Sequence, residues 1–486
     1  MPIPLAEPLG QIRTKIVATL GPASRDREVL KRLIEAGADV FRLNFSHGTH
    51  DEHSATLKIV RDVATELDRQ IGVLQDLGGP KIRLGPIPGD SVVCAHGDVF
   101  WLVAARASDD PHELTCTYRD LADDLKPGDS VLFADGAVAM TVVDVSSGKA
   151  TLVVTLAGLL RTKQGINLPG AELRVKALTE KDLRDLDWAA ANPVEFVGLS
   201  FVRTAADVAW LRRELVARGI SPLIVSKIEK PEAVANFDAI LQETDAVMVA
   251  RGDLGVEMDV ARVPAIQKRI ISACHRARVP VITATQMLAS METSSRPTRA
   301  EAADVFNAVL DGTDAVMLSG ETAIGQYPVE TVSMMSRIAA EAEALLSSEH
   351  HIRPDIGHAL LKAGWISETT EVVVEAAAMA CRRLKAKLVV VATHSGKTAI
   401  ALSKQRYEAP TLAMTDVASM ARKMNLLWGV TPILVPELTD GATSLAMALG
   451  WARDRGLIAP KDRVVLVRGT IPGNPVHNAV LVQEVE

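Results

Sequence analysis

Short apolar runs alternate with amphipathic stretches along much of this 486-residue chain. A strand covered by helices on both faces is apolar throughout, so the alternation indicates parallel strands with helices between them. Eight runs are candidate strands of one sheet: Lys15 to Leu20, Val40 to Phe45, Gly72 to Asp76, Phe196 to Ser200, Leu223 to Ile228, Ala246 to Arg251, Val281 to Thr285 and Ala315 to Ser319. Eight parallel strands close into a barrel, and the pattern therefore predicts an α/β fold built on a (β/α)8 TIM barrel.

The helices between these runs begin with recognisable caps. Thr179 and Thr204 are each followed three residues later by a carboxylate, Asp182 and Asp207. A hydroxyl with a carboxylate at that distance satisfies the free amides at a helix start. The helix signals therefore agree with the strand signals.

The segment after the third predicted strand breaks this rhythm. From about Lys81 to Lys176 it carries the β-rich stretches VFWLVA, SVLFA, VAMTVVDV and ATLVVTL, with Gly-Asp turns between them. We predict an inserted β-barrel domain over residues 81–176. Because it follows the carboxyl end of a barrel strand, where such barrels carry their active sites, we expect it to act as a lid.

A further change follows an acidic helical stretch near residue 345. Four apolar runs separated by helices predict a small α/β domain: Leu388 to Thr393, Thr411 to Met414, Thr431 to Val435 and Val464 to Val467. The predicted units are thus a barrel of residues 1–80 and 177–345, a lid of residues 81–176, and a C-terminal domain of residues 346–486.

Composition and charge narrow the classes of partner. Basic and acidic residues, 53 and 60, are interspersed and leave a net charge of −7, so no nucleic acid or membrane partner is expected. The cysteines, Cys94, Cys116, Cys274 and Cys381, form no metal or disulfide pattern and indicate a reducing compartment. No apolar run is long enough to span a bilayer, and we expect a cytoplasmic protein that acts on small molecules.

Polar side chains gather where the predicted barrel strands end. The second strand runs into Arg42-Leu43-Asn44-Phe45-Ser46, and the period of two points Arg42, Asn44 and Ser46 to the same side. The carboxyl ends of barrel strands meet at one mouth, so these side chains are expected to face a common pocket.

The fifth and sixth strands bring acidic groups to the same mouth. Glu229 and Asp253 supply two hard oxygen ligands and leave other positions for water and substrate, the usual arrangement for Mg²⁺ in phosphate chemistry. Gly252 has no side chain, so its amide and that of Asp253 are able to approach an anion closely. Lys227 lies on the same face of its strand as Glu229.

Each of these residues also has a structural interpretation. Lys227 and Glu229 are equally well explained as a buried ion pair, Arg42 as a residue on a solvated rim, and Thr285 as a group that satisfies a backbone carbonyl. A salt bridge does not require another carboxylate, an open glycine loop and further cations at neighbouring strand ends. Their convergence favours a functional site.

Seven segments then carry a specific resemblance. The strings ATLGPAS, FRLNFSHG, SKIEK, MVARGDLGVE, VITATQML, RPTRAE and DAVMLSGETA, in this order, resemble the signature segments of the pyruvate kinase family. The resemblance covers essentially the whole chain. It implies transfer of the phosphoryl group of phosphoenolpyruvate to ADP, which gives pyruvate and ATP in glycolysis. The reaction is expected to use Mg²⁺, with Mn²⁺ as a substitute. The resemblance further implies an allosterically activated homotetramer with a regulatory C-terminal domain.

The resemblance also implies roles for single residues. Glu229 and Asp253 resemble the magnesium ligands, Lys227 the lysine that neutralises the phosphoryl group in flight, and Arg42 the arginine that grips it. The amides of Gly252 and Asp253, with Thr285, match the positions that hold the substrate carboxylate. A water chain near Thr285 is expected to deliver the proton to carbon, and the residues similar to those on the nucleotide side are Asn44, His47 and Arg83.

One departure concerns a monovalent cation. Asn44, Ser46 and Asp76 resemble the residues that hold K⁺ in many family members, which carry a glutamate where this chain has Lys81. The segment resembles the branch that works without K⁺, with Lys81 as a substitute cation within reach of Asp76, and no K⁺ requirement is expected. The alternative is that Lys81 is a solvated hinge residue.

Two loops leave their interpretation open. The family usually has lysine directly before Gly165, where this chain has Gln164, so the contribution of Lys163 to nucleotide binding is undecided. The turn from Thr393 to Thr398 is rich in hydroxyls and resembles an allosteric phosphate loop, although an ordinary capped turn explains it too. The candidate residues for a phosphorylated effector are Thr393, Ser395, Lys397 and Thr398.

Two other functions remain as alternatives. A magnesium-dependent barrel aldolase or lyase that acts on a pyruvate enolate would share Glu229 and Asp253 but would not need Lys227 or the lid. A degenerate metabolite sensor would have lost a ligand or the lysine, and none is lost. ATP formation from phosphoenolpyruvate and ADP distinguishes these possibilities.

Overall fold

The computed structural model describes residues 12–171, 174–348, 365–438, 441–470 and 476–486. The first part of the chain supplies three parallel strands and two helices. They are β1 (Lys15–Leu20), α1 (Arg27–Glu35), β2 (Val40–Asn44), α2 (His50–Glu66) and β3 (Gly72–Asp76). Helix α2 starts at Thr49, whose hydroxyl and amide exchange hydrogen bonds with Glu52, the arrangement that satisfies free amides at a helix start.

The inserted segment forms two antiparallel-rich sheets around one apolar core. Its elements are β4 (Ser91–Cys94), β5 (Val99–Val103), β6 (Glu113–Leu114), α3 (Leu121–Asp124), β7 (Ser130–Phe133), β8 (Val138–Ser146), β9 (Lys149–Leu156), β10 (Gly158–Arg161) and β11 (Ile166–Asn167). The larger sheet has the order β11-β7-β8-β9-β5-β6, and β10 pairs with β4. Alternate residues of β9 are buried, as expected of a sheet with one face on a core.

The remaining barrel strands follow the insertion, with helices around them. The elements are α4 (Glu180–Ala191), β12 (Phe196–Leu199), α5 (Ala205–Ala217), β13 (Leu223–Ile228), α6 (Pro231–Ala235), α7 (Phe237–Glu243), β14 (Ala246–Ala250), α8 (Arg251–Glu257), α9 (Val263–Arg276), β15 (Val281–Ala284), α10 (Arg299–Leu310), β16 (Ala315–Leu318), α11 (Gly320–Ala323) and α12 (Pro328–Ser348). The closed barrel has the order β1-β16-β15-β14-β13-β12-β3-β2. The predicted (β/α)8 barrel is therefore confirmed.

Five barrel strands end one residue earlier than predicted, because the next residue already belongs to the loop or helix at the mouth of the barrel. Arg251 begins α8 directly after β14, and Thr285 has a φ of 70°. The predicted caps are present: Thr179 accepts from the amide of Asp182 at 3.1 Å, and the Thr204 amide donates to Asp207 at 2.9 Å.

The C-terminal part is a five-stranded α/β sheet. Its elements are α13 (Glu368–Leu384), β17 (Leu388–Ala392), α14 (Lys397–Ser403), β18 (Thr411–Thr415), α15 (Ala418–Lys423), β19 (Val430–Leu434), α16 (Gly441–Asp454), β20 (Arg463–Arg468) and β21 (Ala479–Glu484). The edge strand β21, antiparallel to β20, is absent from the prediction, because most of its residues are exposed and its pattern carries no buried face. The predicted boundary at residue 346 adjoins residues 349–364, which lie outside the described residues.

Carboxylates mark the amino ends of alternate barrel strands. Asp39, Glu195, Asp245 and Asp314 each precede a strand and accept from an amide at the start of its neighbour, at 2.8 to 3.0 Å. Each satisfies a backbone donor that would otherwise be buried without a partner. These residues hold neighbouring strands in register at the face opposite the barrel mouth.

The C-terminal domain is fixed on that same face. Asp314 is fully buried and pairs with Lys404 at 2.5 Å and Arg406 at 2.9 Å, and Glu195 pairs with Arg422 at 2.5 Å. Leu426 of this domain joins the apolar cluster inside the barrel. Among the described residues, no helix is long and apolar enough to cross a membrane.

Replacing Asp314 tests whether this charge cluster holds the two domains together. Asp314→Asn removes the buried carboxylate that pairs with Lys404 and Arg406, and we expect the free energy of unfolding to fall by about 3–5 kcal/mol. Urea denaturation followed by circular dichroism measures it. The control is Asp68→Asn, whose partner Arg455 is 3.2 Å away at the surface, with an expected change within about 0.5 kcal/mol. Equal stability of the two variants would contradict the assignment.

Candidate active site

Four charged side chains from three strands meet inside the mouth of the barrel. Asp76, at the end of β3, accepts from Arg42 Nε at 2.7 Å, and Arg42 also donates to Thr19 at 3.1 Å. Lys227 of β13 lies 3.6 Å from Asp76 Oδ1 and 3.3 Å from Glu229 Oε2. The expected convergence of Arg42, Lys227 and Glu229 is thus present in the structure, with Asp76 at its centre.

Lys227 is held as a buried ammonium group. Its Nζ donates to Ser200 Oγ at 2.6 Å, and Ser200 donates onward to the carbonyl of Leu77. Burial alone would lower the pKa of Lys227, but the charges of Asp76, Glu229 and Asp253 outweigh burial and raise it. The lysine therefore remains a fixed positive charge at neutral pH.

Glu229 is incompletely satisfied. Its Oε1 accepts from the amide of Phe201 at 2.6 Å, whereas Oε2 is buried without a hydrogen-bond partner among the described residues. Burial raises the pKa of Glu229, and the nearby Lys227 only partly offsets the effect. Asp76 Oδ1 likewise has no hydrogen-bond partner. Both oxygens lie near the Lys227 ammonium without a hydrogen bond from it, and the open Glu229 Oε2 is able to accept a further cation.

Asp253 lies in the first turn of α8, which begins directly after β14. Its charge acts on both Lys227 and Glu229, consistent with a place at the same mouth. Within the described part of the chain, no group of three or more His, Cys, Asp or Glu side chains is arranged to hold a metal. A metal at Glu229 and Asp253 would therefore take its remaining ligands from substrate and water.

The Gly252 amide has a partner that the sequence did not reveal. It donates to Thr285 Oγ1 at 2.7 Å, and that hydroxyl donates to the carbonyl of Ala284 at 2.6 Å. A Cβ at position 252 would lie 3.3 Å from Thr285 Oγ1, a tight contact that explains the glycine. An anion that binds the Gly252 amide would have to displace this hydroxyl.

Thr285 occupies a left-handed turn that Arg251 fixes. Thr285 and Gln286 have φ values of 70° and 52°, which are costly for residues other than glycine. Arg251 donates to the carbonyl of Thr285 at 2.8 Å and to Asp304 at 2.8 Å. Arg251 and Asp304 thus position Thr285, and sequence reasoning missed both because the contacts join segments far apart in the chain.

The residues expected on the nucleotide side are brought near one another. Asn44 accepts from the amide of Ser46 at 3.1 Å, and Arg83, in the inserted domain, donates to the carbonyl of Lys163 at 3.3 Å. Burial lowers the pKa of His47, and the charges of Arg83, Lys81 and Arg42 lower it further. His47 is therefore neutral at pH 7.

The structure bears on the expected contact of Lys81 with Asp76 and on the loop that contains Lys163 and Gln164. Lys81 is exposed and makes no ion pair within the described residues, so the expected contact with Asp76 is not formed; Arg42 and Lys227 neutralise Asp76 instead. Gln164 accepts from the amide of Arg161 at 2.7 Å, which turns its side chain into its own hairpin.

The candidate effector turn presents only part of its predicted set. Thr393 and Thr398 are buried: Thr393 accepts from the Gly396 amide at 3.0 Å, and Thr398 is hydrogen-bonded to His477 Nδ1 at 3.0 Å. Ser395 and Lys397 are exposed. A ligand at this turn would meet these two side chains first.

Comparisons with known proteins agree over nearly the whole chain. The family model for the pyruvate kinase barrel domain matches residues 11–332, and that for the pyruvate kinase alpha/beta domain matches residues 371–482. "Pyruvate kinase 2" of Synechocystis sp. is 42% identical over 465 residues, covering 95% of this chain and 77% of that protein. The pyruvate kinase of Corynebacterium glutamicum is 41% identical over 467 residues, covering 95% of both.

A solved structure gives the same result for the fold. The crystal structure of a pyruvate kinase from Cryptosporidium parvum matches with a TM-score of 0.91 and 34% identity, covering 98% of this chain and 97% of that one.

The raised pKa of Glu229 predicts a pH-dependent stability. The native state holds this proton more tightly than the unfolded chain, so ionisation of Glu229 destabilises the metal-free protein as pH rises through the native pKa. As pH rises above 4.5, we expect the free energy of unfolding of the unsubstituted protein to fall more steeply than that of the Glu229→Gln variant. Denaturant titrations in chelator at several pH values measure this. Parallel curves for both proteins would contradict it, and Glu341→Gln, at an exposed carboxylate, is the control.

Proposed function

Because this chain belongs to the pyruvate kinase family, we propose that the buried charges at its barrel mouth carry out the phosphoryl transfer of that family. The protein moves the phosphoryl group of phosphoenolpyruvate to ADP and forms pyruvate and ATP, a reaction of glycolysis. The observation that best supports this proposal is the cluster of Arg42, Asp76, Lys227 and Glu229. Two carboxylate oxygens in it have no hydrogen-bond partner among the described residues.

Glu229 and Asp253 are proposed to hold Mg²⁺, with Mn²⁺ as a substitute. The bare Glu229 Oε2 and the hard-oxygen donor set support this assignment. When bound, the ion supplies positive charge for the oxygens of the phosphoryl group and of the substrate. The buried ammonium of Lys227 keeps the two carboxylates from repelling each other.

Lys227 and Arg42 are proposed to act on the phosphoryl group itself. Phosphoryl transfer leaves little covalent work to the protein, so placement and charge neutralisation supply most of the catalysis. Contacts with Ser200 and Asp76 hold Lys227 in place. Hydrogen bonds to Asp76 and Thr19 hold Arg42 in place. Both cations are therefore positioned before substrate binds. Lys227 also neutralises the enolate oxygen that the departing phosphoryl group leaves behind.

We propose that the amides of Gly252 and Asp253 hold the substrate carboxylate once it displaces the Thr285 hydroxyl from the Gly252 amide, and that Thr285 then contacts the carboxylate and steers a water toward the enolate carbon. Its hydroxyl proton is already donated to the carbonyl of Ala284. This engagement supports delivery of the proton through water rather than from Thr285 itself.

On the nucleotide side we propose Asn44, His47 and Arg83 as the contacts of ADP and ATP. A neutral His47 is able to accept as well as donate a hydrogen bond. Arg83 lies in the inserted domain, so nucleotide binding there links the lid to the barrel. The division into a barrel, an inserted lid over 81–176 and a C-terminal regulatory domain from 346 is part of this proposal.

We propose that the effector site and the subunit contacts lie in the C-terminal domain, away from the barrel mouth. A phosphorylated effector is assigned to the turn with Ser395 and Lys397, next to the buried Thr393 and Thr398.

A homotetramer is supported by exposed apolar side chains on α13 and on the edge strand β21: Val372, Met379, Leu481 and Val482. A cytoplasmic location is proposed because all four cysteines are free thiols.

Lys227→Met tests the proposed chemistry. Loss of the ammonium is expected to remove at least ~3 kcal/mol of transition-state stabilisation, the scale for a preorganised charge-stabilising group. ATP formation from phosphoenolpyruvate and ADP, measured in a coupled assay, should nearly vanish while magnesium-dependent substrate binding persists. Lys268→Met, on the exposed surface, is the control. Near-normal turnover in well-folded Lys227→Met would refute the role.

The cation requirement follows from the charges around Asp76. Arg42 and Lys227 pair with Asp76, and Lys81 adds positive charge beside His47, which supports the proposal that Asn44, Ser46 and Asp76 work without K⁺. We expect full activity in tetramethylammonium buffers, compared with KCl at equal ionic strength. Lys81→Glu should lower activity and permit partial rescue by K⁺. Many-fold activation of the native chain by K⁺ would contradict this expectation.

A further inference from the structure

We propose that Glu257 is a positioning residue that couples the inserted lid to both segments that carry the proposed metal ligands. Glu257 is the last residue of α8 and is buried, with 4% of its surface exposed. Its Oε1 accepts from Lys230 Nζ at 2.7 Å and from Asn167 Nδ2 at 3.1 Å. One buried oxygen atom thus joins three separate parts of the chain.

The partners of Glu257 lie next to the site without belonging to it. Asp253 and Glu257 are four residues apart in α8, so they share one side of a single helical turn and move together. Lys230 directly follows Glu229. Asn167 is the last residue of β11 and pairs in the lid sheet with Leu132 of β7. A shift of the lid sheet therefore acts through Glu257 on the segments of both carboxylates.

A second path leads from Lys230 to Glu229. The Lys230 ammonium lies 5.5 Å from the ring centroid of Phe201, within range of a cation–π interaction. The Phe201 amide is the donor to Glu229 Oε1 at 2.6 Å, and Phe201 has a φ of 57°, a conformation that surrounding contacts must maintain. Displacement of Lys230 from Glu257 would therefore disturb the only hydrogen bond to Glu229 that the described residues provide.

The lid contact differs from the ion pair beneath it. Lys230 and Glu257 both belong to the barrel, so their ion pair does not itself cross to the lid. The amide of Asn167 reaches Glu257 only when the lid lies in the arrangement seen here. A hydrogen bond to a buried carboxylate is stronger than one between neutral groups, so this contact favours that arrangement. The inference rests on the proposed roles of Glu229 and Asp253.

The experiment uses the full-length protein and separates lid position from metal binding. The variants are Asn167→Ala, Asn167→Asp and Glu257→Gln. Asn307→Ala is the matched control, because the Asn307 side-chain amide donates to the carbonyl of Ala303 in its own helix and to no other described residue. Steady-state kinetics give KM for ADP and kcat. Mn²⁺ affinity without nucleotide is read by electron paramagnetic resonance, and hydrogen–deuterium exchange reports on the peptide over residues 160–171.

Asn167→Ala should raise KM for ADP about tenfold and speed exchange in that peptide, the scale for losing a hydrogen bond to a charged group, and it should weaken Mn²⁺ binding by less than Glu257→Gln does, because Lys230 still holds Glu257. Asn167→Asp should have a larger effect, because it sets a second carboxylate against Glu257. Glu257→Gln should additionally weaken Mn²⁺ binding. Asn167→Ala tests the lid contact even if Glu257→Gln does not fold.

If Asn167→Ala matches Asn307→Ala in KM and exchange, or if Asn167→Asp is no worse than Asn167→Ala, the coupling role of Glu257 is wrong. Failure of the metal assignment would look different. In that case Glu229→Gln would leave Mn²⁺ affinity unchanged, while the exchange and KM results at Asn167 would still report on the lid.

Discussion

The active site depends on two carboxylates that are buried near one ammonium group at the barrel mouth with too few hydrogen-bond partners. Asp76 and Glu229 are nearly inaccessible to solvent, and each keeps one oxygen without a hydrogen bond in the described structure. Removal of charge from water is costly unless pairing and hydrogen bonds compensate for it. Lys227 and Arg42 supply the pairing, and a divalent cation at Glu229 would supply the partner that its Oε2 lacks.

The opposite end of the barrel shows how the same residue types look when they are structural. Both oxygens of Asp314 are occupied, Oδ1 by Arg406 and Oδ2 by Lys404 and the amide of Val281. Glu195 is satisfied in the same way by Arg61, Arg422 and the amide of Val73. The carboxylates of the two ends thus differ in how completely they are hydrogen-bonded, although Arg406 at the structural end also keeps Nε and Nη1 without partners in the described structure. The fully bonded carboxylates fix domains, and the incompletely bonded ones at the mouth are available to ligands.

Sequence reasoning succeeded where local periodicity decides the outcome. The alternation along β13 and the residue after it placed Lys227 and Glu229 on one face, and the position of Asp253 just after β14 placed it at the mouth. It could not supply contacts between distant segments, such as Ser200 with Lys227 or the Phe201 amide with Glu229. The distance between Lys81 and Asp76 also depends on how the lid is set on the barrel. The exposed strand β21 gave no pattern to detect.

The central claim is that Glu229 is an underpartnered carboxylate kept for a divalent cation, and Mn²⁺ binding as a function of pH tests it most directly. Proton and cation compete for the same oxygens, so affinity depends on the raised pKa of Glu229. Electron paramagnetic resonance of free Mn²⁺, measured at a series of pH values upward from the ordinary glutamate pKa of 4.5, gives the dissociation constant at each step. The account predicts affinity that strengthens as pH rises through that pKa. Affinity that is independent of pH across this range would contradict it.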